Sequence, residues 1–580
     1  MHIRLILVFG LLSSIWTIDA NSQPRSLVGS WLGVLALPSG PDVRLGFTIR
    51  EDTNGQYRGT WSSPDQTPLP GDIGSIRFDH DTVRLALKVL NGLYAGVMSK
   101  DGSRIEGSFS QGFPIPLTLL REKSYVASLE DTAVAAPMKY FHLALKIAKD
   151  SNRWLGTVEV IDMGEEEYSI DSVTATGDSL RFVVPNLDGE FVGALERGNP
   201  DGFDGVWRQD SEVTSGRFAQ VQVVQELVRP QEPRPHYPYK EDSVSYLNKR
   251  AGIVLAGTLT EPFGKGPFPA VFLILGSGPH DRDEAIMGHK PFKVIADYLT
   301  RHGIAVLRAD DRGVGSSGGT YNGATSANFA TDAKSAVEFL KSRPEIDRKH
   351  IGLIGHSEGG MIAPMVAARD THSYSAPNDV AFIVLLAAPG IHNSALMMLQ
   401  RSMLAKNDTS KKMLNQLRYS ALMDAVLVGT NQSNEALLSH RLDSLWKRQY
   451  AEGGGDTSQN SRAKSMRSKA ATFTVLLSPW YRFFIAYDPA TALRKVSVPV
   501  LALNGTLDRQ VACEVDLQGI SRALKEGNNK DVTIKKLPGL NHLFQHAQTG
   551  SVDEYAMISE TFSPEVLDIM CTWILKHSNK

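Results

Sequence analysis

At 580 residues the chain exceeds what one hydrophobic core organises, so two or three domains are expected. Hydrophobic residues make up 42% and charged residues 21%, with a formal net charge of −2. That balance excludes the basic excess of a nucleic-acid binder and the apolar-poor, highly charged composition of a disordered chain.

The first twenty residues read as a secretory signal peptide (1–20). Arg4 supplies the basic end, residues 5–18 are mainly apolar, and Ala20 is the small residue a cleavage site needs. A mature protein in the periplasm or outside the cell is the expectation. No cysteine near Ala20 supports lipid anchoring, and no later apolar run is long enough to span a bilayer. The two cysteines, Cys513 and Cys571, show no metal-ligand spacing and read as structural.

Residues 24–227 carry short runs of alternating apolar and polar residues, such as 43–49 and 82–87, separated by Gly, Asn, Asp and Pro. Period two with turn chemistry between runs predicts antiparallel β structure. The region also repeats. Gly59 matches Gly156, Gly96 matches Gly193 and Gly107 matches Gly205, each within a similar local string. A near-constant offset predicts two copies of one β unit, about 24–125 and 126–227, packed as a sandwich or a pair of small barrels. Residues 228–242 hold four prolines and read as a stiff linker.

From residue 243 to 580 the pattern changes. Apolar strands near 270–275, 304–308, 351–355, 381–386 and 500–504 alternate with helical stretches near 292–302 and 327–342. This predicts an α/β domain whose mostly parallel sheet carries helices on both faces. A Leu-, Met- and Lys/Arg-rich insertion at about 390–479 reads as a helical cap with a loose loop at Gly453–Gly455.

The chemistry centres on Gly355-His356-Ser357-Glu358-Gly359, which follows an apolar strand and opens a helix. A sharp strand–turn–helix presents the serine hydroxyl, and the hydroxyl then needs a base and an orienting carboxylate. Asp508 and His542 each follow an apolar strand, in the chain order serine, acid, histidine. They are the candidate catalytic partners of Ser357. An oxyanion formed on the substrate needs amide donors. The candidates are the backbone N–H of Glu358 and, in Gly276-Ser277-Gly278-Pro279, that of Gly278, with Ser277 second.

Those strings, with Asp311-Arg312-Gly313-Val314-Gly315-Ser316, Gly505-Thr506-Leu507-Asp508 and Gly539-Leu540-Asn541-His542, make residues 243–575 resemble the α/β-hydrolase superfamily. The resemblance is to its bacterial esterases and serine aminopeptidases (S33 type). It implies a hydrolase that cleaves carboxylic esters through an acyl-serine intermediate, with no metal or organic cofactor, and the signal-peptide segment adds export. An aminopeptidase or prolyl-type peptidase is the second reading. A surface-binding module with a vestigial hydrolase is the third. Small esters or short peptides are the implied partners. Where the oxyanion loop of many members begins His-Gly, this chain has Gly276-Ser277.

Four further groups invite a role. The cluster His280-Asp281-Arg282-Asp283-Glu284 either lines the pocket mouth or forms an ion-pair network beside Asp310-Asp311-Arg312, the latter being favoured. His356 reads as a residue that packs or bonds behind the serine. The mildly basic cap favours an acidic substrate or is simply a solvated face. Met361, Met365, Met397, Met398 and Met403 furnish either an adaptable pocket or core packing.

Overall fold

The computed structural model describes residues 26–578, apart from 38–41, 53–54, 66, 88–91, 131–139, 151–152, 162–166, 177–178, 188, 197–198, 210–211, 222–228, 369–379, 406–410, 430–434, 453–468 and 471. The signal-peptide segment and the loop at Gly453–Gly455 lie outside the described residues.

The N-terminal region forms two antiparallel sheets of nine strands each, with the same strand order. In the first, the edge strands Thr67–Asp72 and Ser75–Asp79 are consecutive in the chain. Only Ile73 and Gly74 separate them, so the sheet must curl until its edges meet. The Ile73 amide donates to Gly59 O (2.9 Å) on one side, and the Gly74 amide donates to Ala86 O (2.8 Å) on the other. Ile170 and Asp171 close the second sheet in the same way, onto Gly156 O and Val183 O. Two barrels result. Each fills itself with inward residues of the period-two pattern, Trp31, Phe47 and Tyr94 in one and Phe182, Phe191 and Phe218 in the other.

The repeated glycines sit where strands approach most closely. Gly96 pairs with Gly107, and Gly193 with Gly205. A Cβ on Gly107 would lie 2.2 Å from Ala95 O, and one on Gly205 would lie 2.5 Å from Val192 O. The second sheet begins with Lys123–Glu130, so the boundary between the copies falls slightly before 126.

Between the barrels the outward faces meet through buried charge. Lys146 contacts Glu159 (3.0 Å) and Glu167, and Ser62 of the first barrel donates to Glu167 (2.6 Å). Arg44 donates to Ile170 O across the same seam (2.9 Å).

The segment read as a stiff linker is also pinned to the C-terminal domain. The Arg229 guanidinium donates to the carbonyls of Gly288, Ala556 and Ile558, and the Gln231 side chain bonds Thr561 and Phe562. Its last residues already belong to the sheet, because strand β1 is Tyr239–Asn248 and not a segment starting at 243. Prolines at 230, 233, 235 and 238 keep the backbone extended, but side chains between them supply the anchors.

The C-terminal sheet continues with β2 (Ile253–Pro262), β3 (Phe268–Ile274), β4 (Ala305–Ala309), β5 (Ile346–His356), β6 (Phe382–Leu386), β7 (Val500–Gly505) and β8 (Val532–Leu537). Their spatial order is β1-β2-β4-β3-β5-β6-β7-β8. The β1–β2 and β2–β4 pairs are antiparallel and the others parallel. Helices α1 (Pro291–Arg301), α2 (Ser326–Ser342) and α3 (Glu358–Ala367) follow β3, β4 and β5. Burial on both faces explains the unbroken apolar strands. Along β3, Ala270, Phe272 and Ile274 join one core while Val271 and Leu273 join the other.

The cap contains α4 (Asn393–Leu404), α5 (Lys411–Gly429), α6 (Glu435–Glu452) and α7 (Pro479–Ala486). Tyr481 and Ile485 of α7 pack with Met423, Leu427, Leu438 and Leu442. The insertion therefore reaches Ala486, beyond the expected limit of 479. Helices α8 (Cys513–Glu526) and α9 (Pro564–Ser578) complete the domain on opposite faces of the sheet. They carry Cys513 and Cys571, both buried and unpaired. Burial pushes each thiol up to about 11, which leaves neither as a reactive thiolate.

Candidate active site

Strand β5 ends at His356 and α3 starts at Glu358, so Ser357 alone makes the turn. It does so at φ 52°, ψ −116°, a conformation costly to a residue with a Cβ, on the order of 1–3 kcal/mol. The neighbouring glycines are sterically required. A Cβ on Gly355 would lie 2.1 Å from Gly359 O, one on Gly359 2.2 Å from Ile274 O, and one on Gly360 2.4 Å from the Ala388 Cβ. The Ser357 amide is tied to Leu386 O of β6 (2.8 Å). Packing on all sides thus holds the strained residue with its side chain partly exposed.

Asp508 lies beyond the end of β7. Its Oδ1 accepts the amides of Gln510 (2.7 Å) and Val511 (2.9 Å), which leaves Oδ2 to accept from His542 Nδ1 at 2.8 Å. The two side chains are buried, that of Asp508 completely. With Nδ1–H committed to the carboxylate, the neutral imidazole has Nε2 free to take a proton. The loop carrying His542 is set by Asn541, whose Oδ1 accepts the amides of Leu543 and Gln545. His542 is brought beside the elbow, its ring centroid 4.9 Å from that of His356, the residue before Ser357.

The oxyanion loop departs from expectation. The Gly278 N–H donates to the Tyr321 hydroxyl (3.0 Å), a partner 43 residues away that local sequence does not announce. Among the described residues no acceptor engages the backbone N–H of Ser277 or Glu358. Of the two loop candidates, Gly278 thus has its N–H engaged, whereas Ser277 has no acceptor among the described residues.

The charged cluster after this loop divides in two. Arg282 forks onto Asp310 (2.9 and 2.6 Å), Arg312 onto Asp332 (2.7 and 2.8 Å), and Arg308 pairs with Asp283, so these residues form a structural network. Glu284 stands apart. Its Oε1 accepts from Gly276 N (2.7 Å) and from His356 Nδ1 (3.0 Å).

Glu358 was singled out for its amide alone, but its side chain also has a task. The buried carboxylate accepts from Ser326 Oγ (2.5 Å) and from the Trp480 indole (3.0 and 3.1 Å). Burial pushes this carboxyl up, against the pull of the hydrogen bonds from Ser326, Trp480 and Ser277. Trp480 belongs to α7, so the elbow and the cap are tied together at Glu358. Beside them Met361, Leu396, Phe484 and Val511 cluster, with Met365 and Met397 against them, as an apolar wall between the elbow, the cap and the Asp508 loop.

Residues 289–547 match the family described as serine aminopeptidase, S33, of the hydrolases. The C-terminal domain has the α/β-hydrolase fold and is similar, over these residues, to the S33 type. Esterase EstD of Thermotoga maritima is 27% identical to the chain over 325 residues, 56% of this chain and 66% of that protein. The chain thus spans just under two thirds of that relative's length. Among solved structures, the Pyrococcus furiosus esterase Pf2001 covers 61% of this chain and 99% of its own, with 16% identity and a TM-score of 0.36. The proline iminopeptidase of Mycobacterium smegmatis covers 58% and 99%, with 15% identity and a TM-score of 0.36.

Among the described residues no helix is long and apolar enough to cross a membrane.

Proposed function

We propose that the hydrolase domain cleaves carboxylic esters by acyl transfer to Ser357 and then to water. His542 Nε2 takes the serine proton as the hydroxyl attacks the carbonyl. The imidazolium that forms is stabilised by Asp508, whose position is held by two backbone amides. The amides of Ser277 and Glu358 receive the oxyanion, each donor contributing about 3 kcal/mol to the barrier reduction. His542 returns the proton to the leaving alcohol, and water repeats the sequence on the acyl-enzyme.

The observation that carries this reading is the buried His542–Asp508 hydrogen bond beside a serine held at a strained elbow. The likeness to an esterase, EstD, points the same way.

The family's description favours a second reading, aminopeptidase. A peptidase that reads a free amino terminus needs an ionised carboxylate facing its pocket. Here Glu358 and Glu284 are buried and engaged by protein donors, and burial drives Asp311 well above the usual carboxylate range. Ester hydrolysis is the better fit. The Arg4-led apolar segment supports export, which fractionation of the native host tests.

The deciding assay compares p-nitrophenyl esters with aminoacyl p-nitroanilides, using the chain and its Ser357→Ala variant. Preferential ester turnover that vanishes in the variant is expected. Preferential anilide cleavage moves the assignment to peptidase.

A further inference from the structure

We propose that His356 and Glu284 form a buried imidazolium–carboxylate strap that positions the oxyanion loop, the nucleophile elbow and the His542 loop against one another. This inference rests on the acyl-transfer reading of Ser357.

The protonation state follows from the acceptors. His356 Nε2 faces the backbone carbonyl of His542 at 3.1 Å, and a carbonyl never donates, so Nε2 carries a hydrogen. Nδ1 faces Glu284 Oε1, which already accepts the Gly276 amide. An oxygen receiving an amide hydrogen is a poor place for a carboxyl proton, so Nδ1 carries a hydrogen as well. Doubly protonated, His356 is a cation directly before the nucleophile. Burial pulls the imidazole down, but the Glu284 charge and hydrogen bond, and the His542 carbonyl, hold it above the ordinary histidine range. Burial likewise pushes Glu284 up, and the charge and hydrogen bond of His356 keep it below its usual value. The other titratable groups facing the pair are Asp508 and His542 on the loops after β7 and β8, and His280 and Asp311 after β3 and β4.

The geometry gives the pair its task. Gly276 precedes Ser277, whose amide is the assigned donor. His542 O belongs to the base itself. His356 is covalently joined to Ser357. One carboxylate and one imidazolium therefore connect all three parts without touching substrate. Glu284 holds its place at φ 52°, a second strained non-glycine residue close to the site. These are positioning residues. A loop shift of about 1 Å on their loss would lower the rate about 100-fold.

The test combines steady-state kinetics with NMR on the full chain carrying isotope-labelled histidine. At a pH of about 7.5, above the ordinary histidine value of about 6.5, one buried histidine is expected to stay doubly protonated. Glu284→Gln is expected to abolish that signal. Glu284→Gln and His356→Gln should each lower kcat about 10- to 100-fold with KM within about threefold. A neutral His356 in the unsubstituted chain, or folded variants with unchanged kcat, would overturn the strap. If neither variant folds, the signal of the unsubstituted chain decides. Ser357→Ala, assayed alongside, separates the two readings: persistent turnover in that variant refutes the acyl-transfer site itself, whatever the histidine signal shows.

Discussion

In the seam between the barrels, Lys146 sits among Glu122, Glu159 and Glu167. In the hydrolase domain, His542–Asp508 and His356–Glu284 sit beside a serine at φ 52°. Both regions bury charge and both pair it, as desolvation demands. The barrel cluster is built on regular strands and ends on side chains of the two sheets. The hydrolase pairs lie at strand ends and on the loops beyond them, next to a strained serine and to amides that no acceptor engages among the described residues. Buried charge alone therefore does not mark a site. Its juxtaposition with backbone strain and uncommitted donors does.

Substitutions can break this contrast on either side. The largest effect expected is that of Ser357→Ala, a fall in kcat of about 10⁴-fold or more, with little change in the unfolding curve. Asp508→Asn should follow, at about 10³- to 10⁴-fold in kcat, because the imidazole loses its orienting acceptor and the stabiliser of its charged form. On the barrel side, Lys146→Met should act the other way. It leaves the carboxylates of the seam without their cation and costs about 3–5 kcal/mol in denaturant unfolding, with kcat unchanged.

A subtler effect concerns Glu122. Burial, then the charge of Glu167, push its carboxyl up to about 8 against the pull of Lys146. Among the described residues its buried Oε1 has no hydrogen-bond partner. The folded state thus keeps a proton that the unfolded chain has released above about 4.5, the ordinary value. Barrel stability should fall as pH rises from about 4.5 to about 8, and Glu122→Gln should flatten that dependence in pH-resolved thermal unfolding. The smallest effect expected is that of Trp480→Phe. It removes the indole bonds to Glu358 and should raise KM about fivefold, or about 1 kcal/mol, with kcat nearly unchanged.

Local sequence revealed what local physics dictates. The elbow was legible because strand, tight turn and glycines are contiguous, and the barrel copies because Gly96/Gly107 and Gly193/Gly205 recur where a Cβ cannot fit. Asp508 and His542 were legible as strand-end residues, although only the fold shows them in contact. Contacts across long separations were not legible. Tyr321 takes the Gly278 amide from another loop, Glu284 reaches His356 across 72 residues, and Trp480 reaches Glu358 across 122. Proline content suggested a stiff linker and could not show Arg229 bonded to Ala556. The cap limit was misjudged because Pro479, a first-turn residue of α7, reads locally as a break.

The central claim is that Ser357 is a nucleophile activated by His542 and Asp508. Its most direct test is intact-mass and peptide mass spectrometry after treatment with a fluorophosphonate. A single adduct on Ser357, lost in His542→Ala, is the expected result. Labelling of another serine, or labelling of Ser357 that is undiminished without His542, would contradict it.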